Sequence, residues 1–284
     1  MIDKLLTMYY NIRSQIMYRS EKMSSIIFFD IDGTIVTEDA RMLLPESTKY
    51  AISETRKKGN ITFINSGRTA FNISKKVREL GFDGCICGCG THIEYGGEIL
   101  LHNKLEQGFC REIAELMRRC GVTPVYEYTD GYYFDDKAPV TDDLRDFLEN
   151  FVESGIDITG RVEDDSFIFD KFVIWVNDGC DFELFKKEVG KYFSIIDRGH
   201  GFYENVPLGF SKATAIDLIL KKLGIPYENA YAIGDSMNDL PMLQAVPNSI
   251  AMGGAEKIYP YVSYITTPIE EDGIANALRH FGLI

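Results

Sequence analysis

The hydrophobic pattern of this chain has two textures. Ile26-Ile27-Phe28-Phe29 is apolar at every position and runs on through Asp30-Ile31-Asp32. Unbroken apolar residues over so short a span predict a strand, at 26–31, covered on both faces as in a parallel sheet. A helical pattern follows from Pro45 to Lys58, with Pro45 near its start, where a missing N–H costs little, and Gly59 at its end. Ile61–Ile64 predicts a second buried strand, Thr69–Leu80 a helix ended by Gly81, and Cys85–Cys87 a third strand. Strands alternating with helices imply a parallel sheet with right-handed crossovers.

Near residue 91 the pattern changes. Thr91–Tyr95 and Glu98–Leu101 flank Gly96-Gly97, a hairpin signature. Helices are predicted at 106–120, 141–153 and 181–190, and strands near 124–128, 132–134, 167–176 and 192–197. Alternation resumes after Gly199, with a helix at Lys212–Leu223, a strand at Ala230–Ile233, a helix beginning at Pro241–Ala245, and short strands at Ser249–Met252 and Val262–Ile265. The expected fold is α/β: a Rossmann-like, doubly wound parallel-sheet core with an inserted α+β cap domain. The expected division is an N-terminal extension (1–23), a core in two parts (24–103 and 200–284) and a cap between them (104–199). In the extension, Ile2, Leu5, Leu6, Tyr9, Ile12, Ile16 and Met17 follow helical spacing. Met23 directly precedes the first strand, so residues 1–22 are expected to be dispensable.

Composition bounds the partners. A chain of 284 residues exceeds what one core usually holds. Its apolar runs are far short of a membrane span, and its net charge of −13 argues against non-specific nucleic-acid binding. Residues 130–170 hold thirteen Asp/Glu against three Lys/Arg. That predicts an acidic surface or, more pointedly, an acidic lid over the substrate. Six cysteines without a secretory signal suggest reduced thiols and a cytoplasmic protein. Cys85, Cys87 and Cys89 alternate along one strand and are expected to pack in the core, because no His or fourth Cys stands at a zinc spacing.

The candidate chemistry begins at the first strand. A buried strand does not end in two carboxylates unless something neutralises them, because an unpaired buried charge is very costly. Asp30 and Asp32, two apart, can share a face at the strand's carboxyl end, where open α/β sheets place their sites. A divalent cation is the natural partner. Three further motifs fall at strand ends or helix starts: Asn65-Ser66-Gly67-Arg68 after the second strand, Lys212 at a helix start behind Ser211, and Gly234-Asp235-Ser236-Met237-Asn238-Asp239 after a later strand.

With these four motifs in this order, residues 24–284 resemble the haloacid dehalogenase superfamily of phosphotransferases. Within it the chain looks most like the Cof-type sugar phosphatases, which carry a type IIB cap between the second and third motifs. The resemblance implies a Mg²⁺-dependent phosphatase of small phosphorylated metabolites, acting as monomer or homodimer without nucleic-acid or membrane partners. Asp30 would be the nucleophile, already ionised, forming an aspartyl-phosphate; Asp32 would protonate the departing alkoxide and then activate water. Ser66, Gly67, Lys212 and Asn238 would hold the phosphate. The metal would take Asp30, the Asp32 carbonyl and Asp235, with waters completing an octahedron. Thr34, Ser236 and Asp239 would support them from behind. Arg68 is left open between phosphate and a carboxylate. The chain departs from the family pattern at Cys89-Gly90, where Asn-Gly is common, and at Gly254, where Asn is common.

The cap would close over the site and contact the leaving group, with Tyr126, Tyr128, Tyr132, Tyr133, Trp175 and His200 as candidates and core packing as their bland alternative. Competing readings are a pyridoxal phosphate or flavin mononucleotide phosphatase, a phosphomannomutase-like phosphotransferase, and a non-catalytic sensor of phosphorylated metabolites.

Overall fold

The computed structural model describes residues 24–39 and 41–284, so the expectations for residues 1–22 lie outside the described residues. The chain lays down β1 (Ile26–Phe29), β2 (Ile61–Asn65), β3 (Gly84–Cys87), β4 (His92–Tyr95) and β5 (Glu98–His102). It then crosses into β6 (Thr123–Tyr128), β7 (Gly131–Phe134), β8 (Lys171–Trp175), β9 (Phe193–Asp197) and β10 (Phe202–Pro207). It returns for β11 (Ala230–Gly234), β12 (Asn248–Ala251) and β13 (Tyr264–Ile265). The first and last groups form one eight-stranded sheet in the order β13-β12-β11-β1-β2-β3-β4-β5. Its members from β13 to β3 are parallel, and β4 and β5 add an antiparallel edge. The middle group forms a second, antiparallel sheet in the order β7-β6-β8-β10-β9.

The unbroken apolar run of β1 has the predicted cause. Ile27 and Phe29 join one layer with Ala51 and Ile52 of helix Glu46–Lys57 and Ile274 and Leu278 of helix Gly273–His280. Ile26 and Phe28 join the other with Ile216 and Ile219 of helix Lys212–Leu223. Both faces of the strand are therefore buried, as a doubly wound sheet requires. In the second sheet, Tyr126, Phe172 and Ile174 pack under helices Gln107–Cys120 and Phe182–Val189. Val125, Val173 and Trp175, on the opposite face, pack with helix Asp142–Glu153.

Three expectations change. The helix expected over 69–80 is a 3₁₀ turn (Ala70–Asn72), an extended step at Ile73-Ser74, and one helical turn (Lys75–Arg78). Guanidinium groups take the carbonyls that a continuous helix would have bonded. Arg68 donates to Asn72 O at 3.0 Å, and Arg78 donates to Ile73 O at 3.1 Å and to Ala70 O. Second, the expected cap boundary at residue 199 falls inside the β9–β10 hairpin, and the second sheet continues to Pro207. Third, Cys87 and Cys89 are both buried, but Cys89 does not share the face of Cys87. A left-handed φ of 55° at Cys89 turns its side chain toward the second sheet, where Sγ lies 3.5 Å from Glu204 Oε1. All six cysteines are free thiols.

Candidate active site

Asp30 follows β1, and Asp235 follows the neighbouring strand β11; the Asp30 N–H donates to Ile233 O at 3.0 Å, which ties the two exits together. Lys212 opens the helix across from them. Ser211 caps that helix reciprocally with Thr214, and Asn65, at the end of β2, donates to the Lys212 carbonyl at 3.0 Å. The buried Lys212 ammonium sits 2.7 Å from Asp30 Oδ1 and 2.6 Å from Asp239 Oδ1. The other Asp239 oxygen accepts the N–H groups of Asp235 (3.0 Å) and Ser236 (3.2 Å). Asp239 is thus fully engaged, whereas Asp235 Oδ1 is buried with no hydrogen-bond partner.

Close approach of these carboxylates requires two glycines. A Cβ on Gly33, whose φ is +70°, would stand 2.2 Å from Asp235 Oδ2. A Cβ on Gly234 would stand 2.6 Å from Asp239 Oδ2. Oxygens of Asp30, Asp235 and Asp239 consequently all lie within 4.8 Å of one another. Three carboxylates face one ammonium, an excess of two negative charges when all three are ionised. Burial, reinforced by Asp239, pushes the Asp30 carboxyl up to about 7 against the pull of Lys212. Burial, then Asp239 and Asp30, push Asp235 up to about 8. Burial alone would lower Lys212, but Asp239 and Asp30 outweigh it and hold the ammonium well above its ordinary value. An orphaned acceptor and a double negative excess fit a divalent cation held by oxygen.

Asp32 lines the same cleft but has a different partner. Arg68 Nε donates to its Oδ2 at 2.8 Å and Nη2 to its Oδ1 at 2.6 Å, so in this structure Arg68 is paired with a carboxylate. Ser66 is buried and accepts the Arg68 N–H at 3.2 Å, leaving its hydroxyl proton free to donate. Gly67, Ser236 and Asn238 line the cleft, with Ser236 Oγ bonded to Asn238 Oδ1. Thr34 is fully buried beneath, its Oγ1 without a partner.

The roof of this cleft, of about 270 Å³, was not anticipated. Glu127 on β6, Lys171 and Val173 on β8, Phe202 and Glu204 on β10, and Arg198 after β9 form it. Lys171 Nζ bridges Glu127 Oε1 and Glu204 Oε1 at 2.8 Å each, and Arg198 pairs with the other Glu204 oxygen. Burial would raise Glu204, but Lys171 and Arg198 hold it down to about 2. The available signal was a charge inside an otherwise apolar strand, as in Lys171-Phe172-Val173-Ile174-Trp175. The proposed aromatic contacts do not line the cleft. Tyr126, Tyr132 and Trp175 pack in the second domain's cores, Tyr133 packs edge-on against Phe167, Tyr128 lies near His102, and His200 is an exposed turn residue with φ 52°. The acidic stretch 130–170 lines no part of the cleft either, which removes the acidic-lid reading.

Known proteins resemble this chain over most of its length. The profile of the haloacid dehalogenase-like hydrolases matches residues 27–278. The Bacillus subtilis protein YkrA is 31% identical over 263 residues, spanning 92% of this chain and 99% of the relative. The 5-amino-6-(5-phospho-D-ribitylamino)uracil phosphatase YcsE of the same organism is 28% identical, over 91% of this chain and 96% of its own. The structure of the HAD subclass IIB sugar phosphatase BT4131 superposes with a TM-score of 0.75 at 26% identity, covering 92% of this chain and all of the other. Among the described residues no helix is long and apolar enough to cross a membrane. The chain belongs to the haloacid dehalogenase-like hydrolase family.

Proposed function

We propose that this phosphatase hydrolyses small phosphate monoesters of polyols, sugar phosphates among them, through an aspartyl-phosphate on Asp30 and with Mg²⁺ as cofactor. One observation carries the reading: Lys212 clamped between Asp30 and Asp239, beside the unpartnered Asp235 Oδ1. A sugar phosphatase and a phosphoribityl-compound phosphatase among the similar proteins support the polyol class. So does a roof of carboxylates and cations, which suits hydroxyl groups better than a flat heterocycle.

Asp30 and Asp235 would hold the cation through oxygen, with the Asp32 carbonyl as the third protein ligand. When bound, Mg²⁺ offsets the double negative excess and neutralises charge on the phosphoryl oxygens. The Asp30 carboxylate attacks phosphorus, and the bond to the leaving oxygen breaks as Asp32 supplies that oxygen's proton. Asp32 then accepts a proton from the water that attacks the phosphoryl group, and the Asp30 carboxylate is released with inorganic phosphate. Lys212 keeps Asp30 aimed and neutralises one phosphate charge. Ser66, the amide of Gly67 and Asn238 would donate to phosphoryl oxygens.

The test is phosphate release from a panel of phosphorylated metabolites, with Mg²⁺ and with chelator, ranked by kcat/KM. Sugar and polyol monophosphates should lead, chelation should silence the enzyme, and Asp30→Asn should be inactive while still folded. Comparable turnover by the Asp30→Asn variant, or by metal-free enzyme, would overturn the proposal.

A further inference from the structure

Side chains reinforce the short 3₁₀ backbone ladder of the turn between Arg68 and Ser74. Asn72 N–H bonds Thr69 O at 3.0 Å, but its carbonyl goes to Arg68 Nη1 at 3.0 Å. The same guanidinium holds both oxygens of Asp32 through Nε and Nη2. Between Arg68 and Asn72, the Phe71 side chain reaches across to the second domain. It packs edge-on against Tyr132 of β7, with ring centroids 5.9 Å apart at 76°, in the apolar cluster that contains Val125, Val173 and Trp175.

We propose that Phe71 is a positioning residue that couples docking of the second domain to the orientation of Asp32, acting through the Asn72 carbonyl and Arg68. The inference rests on Asp32 being the general acid. The physical chain is short. A bidentate guanidinium fixes the plane of the carboxyl group and occupies one lone pair on each oxygen, leaving an outer position of one oxygen to carry the proton given to the leaving group and later taken from water. The guanidinium is itself fixed by the Asn72 carbonyl. That carbonyl stays in place because Phe71 is plugged into the opposing domain. When the domains separate, the plug is withdrawn, the turn loses its anchor, and the acid loses its aim. The arrangement makes proton delivery conditional on a closed, water-excluding cleft.

Leaving-group dependence tests this, because nitrophenolate departs without a proton and an alkoxide does not. The two substrates are 4-nitrophenyl phosphate and an alkyl phosphate, either glucose 6-phosphate or the panel ester turned over fastest. Phe71→Ala should lower kcat on the alkyl ester by about tenfold or more, a part of what general acids usually contribute, and change kcat on the aryl ester by less than about twofold. Phe71→Leu, which keeps an apolar plug, should restore most of the alkyl rate. Asp32→Asn should show the same selectivity more strongly, and adding Phe71→Ala to it should do nothing further. If Asp32→Asn is selective but Phe71→Ala slows both esters equally, or neither, the coupling is wrong. If Asp32→Asn itself shows no selectivity, the acid assignment fails and the inference with it.

Discussion

Replacing Lys212 by Met removes one ammonium and little volume, and the consequences can be worked from the geometry. The ammonium lies 2.6–2.7 Å from oxygens of Asp30 and Asp239 in a buried site. At an effective dielectric of about 20, each contact is worth roughly 6 kcal/mol of Coulomb energy. Much of that offsets the cost of desolvating the ion, so the expected net loss on breaking the cluster is about 3–5 kcal/mol. The loss must depend on pH. The Asp30 and Asp235 carboxyls already stand at about 7 and about 8, above their ordinary 3.8, and losing Lys212 raises them further. A carboxyl whose folded value is raised contributes stability that is complete below its unfolded value and lost as pH climbs through the folded one. The gap between Lys212→Met and the parent should therefore widen from pH 5.5 to pH 8, and added Mg²⁺ should narrow it. Urea unfolding at both pH values, with and without Mg²⁺, reads this directly. A loss below about 1 kcal/mol at pH 8, or a gap that does not change with pH, would refute the reasoning.

Other perturbations follow from the same geometry. Gly33→Ala puts a methyl 2.2 Å from Asp235 Oδ2 at a φ of +70°, so it should cost about 1–3 kcal/mol and weaken Mg²⁺ binding in a calorimetric titration; unchanged affinity would argue against Asp235 as a ligand. Because Asp30 and Asp235 must lose protons to accept a cation, Mg²⁺ affinity should rise between pH 6 and pH 8 with proton release, detectable in buffers of different ionisation enthalpy; a flat affinity would contradict the raised values. Mg²⁺ at a hundred times its Kd should stabilise the protein by about 2.7 kcal/mol, and a thermal scan showing no shift would remove the cation from the account. Lys171→Met leaves buried Glu127 without its cation and Glu204 with Arg198 alone, and should cost about 3–5 kcal/mol by denaturant melt; a neutral result would show that Glu127 reaches solvent.

The parts that were legible in the sequence are those where local pattern and long-range role coincide. The uninterrupted Ile26–Phe29 run is buried on both faces because two helical layers cover it, and that demand is visible in the residues themselves. Lys212 could be singled out from Lys221 and Lys222 by its place behind a capping serine and by the motif it resembles, and it is the one that reaches the carboxylates. Where the sequence misled, a long-range partner had overridden a local preference. Residues 69–80 have helical spacing, yet Phe71 is drawn into the opposing domain and two arginines take the carbonyls. The tyrosines of β6 and β7 were plausible ligand contacts, but strand alternation sends Tyr126 into a core and leaves its neighbour Glu127 facing the cleft. Pairing between Lys171, Glu127 and Glu204 depends on strand order β6-β8-β10, which no local window contains.

The central claim is that phosphorus becomes bonded to one carboxylate, that of Asp30. Quenching the enzyme during turnover with borohydride reduces an acyl phosphate to the alcohol, and peptide mass mapping locates the residue converted to homoserine. The account predicts conversion at Asp30 alone, dependent on substrate and Mg²⁺ and absent from Asp30→Asn. Conversion at Asp32 or Asp235, or none in an enzyme that is turning over, would contradict it.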